Sequence, residues 1–101
     1  MTDTKQLKYA AKAAGFEVAS VADDGKALML YGVQEPWNPR TDNGQAFELA
    51  MLVDITVRRI DPYVYAIGKT EHKARFDNAD DMMAAAREAV FMAAVELGKA
   101  M

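Results

Sequence analysis

The sequence predicts an α+β fold: a three-layer α/β/α sandwich with a mainly antiparallel four-stranded sheet, in the order α-β-β-α-β-β-α. Three observations predict it. Apolar residues recur at helical spacing in three separate segments, two pairs of short β-type runs are each joined by a turn signal, and those runs carry apolar residues on both faces, as a sheet covered on two sides requires. The alternative is a two-layer arrangement with every helix on one face of the sheet.

Residues 3–14 are good helix formers that place Leu7, Ala10, Ala11 and Ala14 on one stripe, and Gly15 follows as a C′ glycine. Residues 16–22 alternate Phe16, Val18 and Ser20 against Glu17, Ala19 and Val21. Asp23-Asp24-Gly25 signals a tight turn into a second strand at 26–32, through Ala27, Leu28, Met29, Leu30 and Tyr31. Residues 33–44 hold two prolines and many turn formers, and so form a loop.

Asp42 or Asn43 caps the next helix, at 45–53, and Asp42 with Gln45 fits a loose capping box. Ala46, Leu49, Ala50 and Val53 form its stripe, with Phe47 and Met51 beside it. Residues 54–60 and 63–69 make a second β pair around Asp61-Pro62. Proline cannot take the positive φ of a type I′ turn, so a longer or bulged connection is expected. The polar stretch 70–75 has room for a short edge strand ending at Phe76. Asp77 or Asn78 then caps a last helix at 79–97, with Met83, Ala86, Val90, Ala93 and Leu97 buried and Gly98 with Lys99 marking its end.

The chain has 101 residues, 51% hydrophobic and 27% charged, which suits one domain spanning 1–101 and argues against disorder. Surface scaling gives a folded area of roughly 5,600 Å², with about 65% of the unfolded chain's surface buried. There is no cysteine, hence no disulfide, thiolate nucleophile or thiolate metal site. The N-terminal run from Met1 to Gln6 is polar and lacks a signal peptide's apolar region. No apolar run approaches the ~18 residues of a membrane span, so a cytoplasmic, membrane-free protein is expected. A net charge of −3 disfavours general polyanion binding and leaves only a local patch as a route to it.

Catalytic motifs are missing: there is no G-x-S-x-G elbow, Walker loop or G-x-G-x-x-G. His72 is the sole histidine and sits in a charged, exposed-looking segment. Asp42-Asn43-Gly44 lacks the other ligands of an EF-hand, while Asp23-Asp24 and Asp80-Asp81 fit a turn and a helix start. No catalytic residue, metal or cofactor is therefore expected. Trp37, the one tryptophan, lies between Pro36 and Asn38-Pro39. It is either a rigid recognition element at the centre of a binding site formed with Asn38, Arg40, Thr41, Asp42 and Asn43, or a plug packed onto the fold. The seven methionines fall mostly on or beside core stripes, and the alanine-rich last helix leaves a homodimer through that helix open.

The run Trp37-Asn38-Pro39-x-Thr41-Asp42-Asn43-Gly44-x-Ala46-x-x-Leu49-Ala50 resembles the Trp-Asn-Pro-x-x-Asp-Asp-Gly-Asp-Ala-x-x-Leu-Ala signature of the phage ABA sandwich domain, a group of small phage and prophage proteins. Asn43 and Gln45 stand where that signature is acidic. The resemblance implies an α/β/α sandwich of phage or prophage origin, working in a bacterial host, and implies no activity.

The leading expectation is a non-enzymatic accessory protein that binds a host or phage protein. The alternative is nucleic-acid binding through Lys5, Lys8, Lys12, Arg58 and Arg59, with Tyr63 and Tyr65 stacking on bases. A third reading is a small-molecule enzyme using Arg40, Asp42, Asn43 and His72, which requires those four to converge in a pocket.

Overall fold

The structure is a computed structural model and describes residues 3–101; Met1 and Thr2, the start of the polar N-terminal run, lie outside the described residues. The elements are α1 (Asp3–Ala14), β1 (Val18–Ala22), β2 (Ala27–Leu30), α2 (Asn43–Leu52), β3 (Thr56–Ile60), β4 (Tyr63–Ile67), β5 (Glu71–Arg75) and α3 (Met82–Lys99). The fold is α+β.

Local chemistry sets most boundaries. At the end of α1, Gly15 adopts φ 80°, its N–H donates to Lys12 O, and the Phe16 N–H donates to Ala11 O. This paired closure satisfies carbonyls that the helix end would otherwise leave open. The same closure ends α2, with Asp54 in the left-handed position at φ 56° and Ile55 N–H donating to Ala50 O. Asp42 caps α2, its carboxylate accepting from Gln45 N–H at 2.9 Å. Asn78 caps a short 3-10 turn, Ala79–Asp81, that leads into α3.

The strands pair in two antiparallel sheets, β1–β2 and β3–β4–β5, in place of the single four-stranded sheet the sequence predicts. The reason lies in the loop. Trp37 returns to the outer edge of β2 and forms an antiparallel bridge with Leu28, each donating to the other's carbonyl at 2.7 and 3.0 Å. That closes the β2 edge of this sheet to the strands that follow. The β1–β2 connection also differs from a tight turn: Ala22 pairs with Ala27 across four residues, and Asp23, Asp24 and Gly25 all have positive φ. A register shift between Val18 and Ser20 interrupts the expected alternation, and Val21 is exposed.

The second reversal has two residues, Asp61 and Pro62, joined by a cis peptide, and Ile60 pairs directly with Tyr63. The longer or bulged connection expected here is therefore not formed: the ladder runs without a register shift from the pair Thr56 and Ile67 to the pair Ile60 and Tyr63. The polar stretch before Phe76 does form an edge strand, β5.

Helix α3 is the interior element, packed on α1 and α2 and on β4 and β5. Its buried surface is accordingly wider than one stripe. Ala85, Ala89, Val90, Phe91, Ala93, Ala94, Val95 and Gly98 are buried, Ala86 and Leu97 half-buried, and Met83 exposed. A helix enclosed on several sides loses the one-sided apolar periodicity on which stripe reading depends. The main core joins Leu7, Ala10 and Ala11 of α1 to Leu28, Trp37, Leu49 and Phe91; a smaller cluster joins Val64, Phe76 and Ala85.

The three-stranded sheet has two unlike faces. Val64 and Ala66 are buried on the side of α3, whereas Thr56, Arg58, Ile60, Ile67, Glu71, Lys73 and Arg75 are exposed and Tyr63 and Tyr65 half-buried. The accessible surface is 6075 Å², above what scaling gives for a chain of this mass.

Candidate functional site

The loop motif is built into the fold. Trp37 is 3% exposed, and its ring meets Phe16 edge-on with centroids 5.7 Å apart. Its indole N–H has no acceptor among the described residues. Asn38 organises the turn that follows: its side-chain carbonyl accepts from Arg40 N–H at 3.0 Å, its amide donates to Lys26 O at 2.7 Å, and its backbone carbonyl accepts from Thr41. Gln45 does not complete a capping box. Its side chain instead accepts from Asn38 N–H at 2.7 Å and donates to Pro36 O at 3.1 Å, tying the first turn of α2 back to the loop.

Arg40 and Asn43 are tied to α3. Arg40 donates through Nε and Nη2 to both carboxylate oxygens of Glu88, at 3.2 and 3.3 Å, and reaches Asp3 at 3.3 Å. Its guanidinium lies 5.2 Å from the centroid of Phe91, which is fully buried. Arg87 donates to Arg40 O at 2.8 Å and to Asn43 Oδ1 at 2.6 Å. Trp37, Asn38, Arg40, Thr41, Asp42 and Asn43 are thus brought together, but their polar groups mainly bind one another and the chain around them, and the indole faces the core rather than solvent.

An open polar cleft of about 580 Å³ lies beside the motif, lined by Asp23, Asp24, Asn38, Thr41 and Asp42 among others. His72 is not among the residues lining this cleft or those that hold Arg40 and Asn43. It sits half-buried on β5, with its Nε2 3.1 Å from Thr70 Oγ1, so Arg40, Asp42, Asn43 and His72 do not converge. No group of three or more histidine or acidic residues among the described residues is placed to hold a metal ion. The alanines of α3, which left a dimer through that helix open, are largely buried within the chain.

The basic residues divide between surfaces. Lys5, Lys8 and Lys12 are exposed on α1, and Lys12 donates to Met101 O. Arg58 and Arg59 lie on β3, in the other sheet, and face opposite ways along the strand. Arg59 bonds Asp61 at 2.6 Å and lies over Phe76; this bond holds the Asp61 carboxyl below the usual carboxylate range and raises Arg59.

One surface was not apparent from sequence periodicity. Phe47 and Met51, 69% and 68% exposed, stand four residues apart on the outer side of α2. Phe47 lines a groove of about 150 Å³ with Ala46, Ala50, Val57, Met83 and Val90, flanked by Asn43 and Arg87. A signal was present: the apolar residues of α2 cover more of the helix than its alanine-rich stripe occupies.

No helix among the described residues is long and apolar enough to cross a membrane. Comparison with family models, curated proteins and solved structures finds no match to this chain.

Proposed function

We propose that this chain is a non-enzymatic accessory protein of phage or prophage origin that binds another protein in the bacterial cytoplasm, through the groove between α2, β3 and α3. The origin rests on the resemblance of the Trp37–Ala50 motif to the phage ABA sandwich domain, together with the α+β fold and alanine-rich closing helix. The observation that carries the binding mode is the exposure of Phe47, which lines the groove with Val57 and Met83, and of Met51 one turn along α2. Burying a phenylalanine or methionine side chain is worth about 1.5–3 kcal/mol, so leaving several adjacent ones in water marks a surface for contact. The partner element that fits is an amphipathic helix with an apolar side chain for the groove.

A photo-crosslinking amino acid at position 47 or 51, introduced in bacterial cells carrying the phage or prophage, is expected to capture a discrete protein. The same group at Lys8 is expected not to. That protein, once purified, should bind wild type and lose at least tenfold in affinity to Phe47→Ser/Met51→Ser with no change in the variant's melting temperature. Equal adducts at positions 8, 47 and 51, or equal binding to the double variant, would remove the groove as the binding surface.

A further inference from the structure

The strand register of β3–β4–β5 assembles a second surface with a different chemistry. Arg58 pairs with Tyr65 and Tyr65 with Lys73, so these three stand in one row across the outer face; Ile60, Tyr63 and Arg75 form the next row of that face. The Tyr63 and Tyr65 ring centroids lie 6.2 Å apart and their planes are inclined by 58°. Lys73 Nζ sits 4.6 Å from the Tyr63 centroid. Arg75 is engaged by Asp77, and Asp77 followed by the Tyr63 hydroxyl raises its guanidinium. Arg58 enters no ion pair among the described residues, neither row holds a carboxylate, and Glu71 stands in the third row of this face with Thr56 and Ile67.

We propose that this face binds single-stranded nucleic acid, with bases stacking on Tyr65 and Tyr63 and phosphates meeting Arg58 and Lys73. Aromatic rings interleaved with cations on an exposed sheet match a flexible polyanion whose bases are free to splay. A separation of 6.2 Å exceeds base-stacking distance, so each ring takes its own base. A duplex hides those base faces and offers phosphates alone. With a net charge of −3, attraction to a polyanion has to come from a local patch such as this face. Lys73 already covers one side of Tyr63, so Tyr65 takes the first base.

The test is fluorescence anisotropy of labelled 12-nucleotide oligo-dT and oligo-U, the corresponding duplexes, and a labelled poly-glutamate peptide. Binding to the single strands at 20 mM KCl is expected, weaker by roughly 25-fold at 200 mM if two phosphates are neutralised. Tyr65→Ala should lose roughly tenfold, whereas Tyr65→Phe retains binding. Arg58→Ala/Lys73→Ala, both exposed and outside the core, should flatten the salt dependence, and Lys8→Ala on α1 should change nothing. Urea melts verify that each variant is folded. Three outcomes overturn the proposal: no binding of either single strand at 20 mM KCl, equal binding of the duplexes or poly-glutamate, and unchanged binding by folded Arg58→Ala/Lys73→Ala.

Discussion

Gly98, one residue before the end of α3, lies against the backbone of Tyr9 in α1: a Cβ built on Gly98 would overlap the Tyr9 carbonyl. The glycine does not terminate α3, which continues through Lys99. It sets how closely the two helices approach. Gly98→Ala would ordinarily stabilise a helix by about 1 kcal/mol through propensity. Here backbone must shift, and overpacking of this kind costs about 1–3 kcal/mol. A net loss of stability in urea, followed by the emission of Trp37, is expected. A gain would mean that α1 and α3 separate without penalty.

Asp54 offers the opposite case. It closes α2 in the left-handed region, at φ 56°, where glycine has no steric penalty. Asp54→Gly should therefore stabilise the protein by about 0.5–1 kcal/mol, less the greater freedom the glycine gives the unfolded chain. Thermal melts of the pair decide it, and a lower midpoint would show that the aspartate side chain contributes more than its backbone costs.

Trp37→Ala removes a ring that is 3% exposed and packed edge-on against Phe16, a change that costs about 3–5 kcal/mol. Trp37→Phe keeps an aromatic edge there and removes the indole N–H that lacks an acceptor among the described residues, so it should recover more than half of that loss. Denaturation followed by circular dichroism measures both. Equal stability of wild type and the alanine variant would return Trp37 to the surface.

Arg40 should not tolerate lysine. Its Nε and Nη2 reach both oxygens of Glu88 while the guanidinium plane covers Phe91, a geometry that an ammonium cannot reproduce. The pair is partly solvated, so Arg40→Ala is expected to cost no more than about 1–2 kcal/mol. Arg40→Lys should recover under half. A Glu88→Gln background that abolishes the difference between arginine and lysine would confirm the fork; an unchanged difference would assign it to Phe91 instead.

Features legible in the sequence are those written within a few residues. The bounds of α1 coincide with the reading from Leu7, Ala10, Ala11 and Gly15, and Asp42 caps α2, because helix spacing and end chemistry act within one or two turns. The loop segment was equally legible, since two prolines exclude regular helix. Gln45 was misread for a physical reason: its position matches a capping box, but nearby loop atoms, Asn38 N–H and Pro36 O, bind its side chain instead. The candidate surfaces were harder to see. Lys5, Lys8 and Lys12 look equivalent to Arg58 and Arg59 in a sequence, yet only register reveals that Arg58 shares a row with Tyr65 and Lys73 while Arg59 faces the other side.

By itself, then, the sequence determined the three helices, the two hairpins and the loop between them, since hydrophobic period, caps and turn residues are short-range signals, while the polar run Glu71–Arg75 became a strand only by pairing with β4. Tertiary structure alone decided that Trp37 closes the edge of β2, that α3 is enclosed on several sides, and that one face of β3–β4–β5 stays open. Each depends on which distant segments compete for the same edge or apolar face, and in that competition burial outweighs local preference.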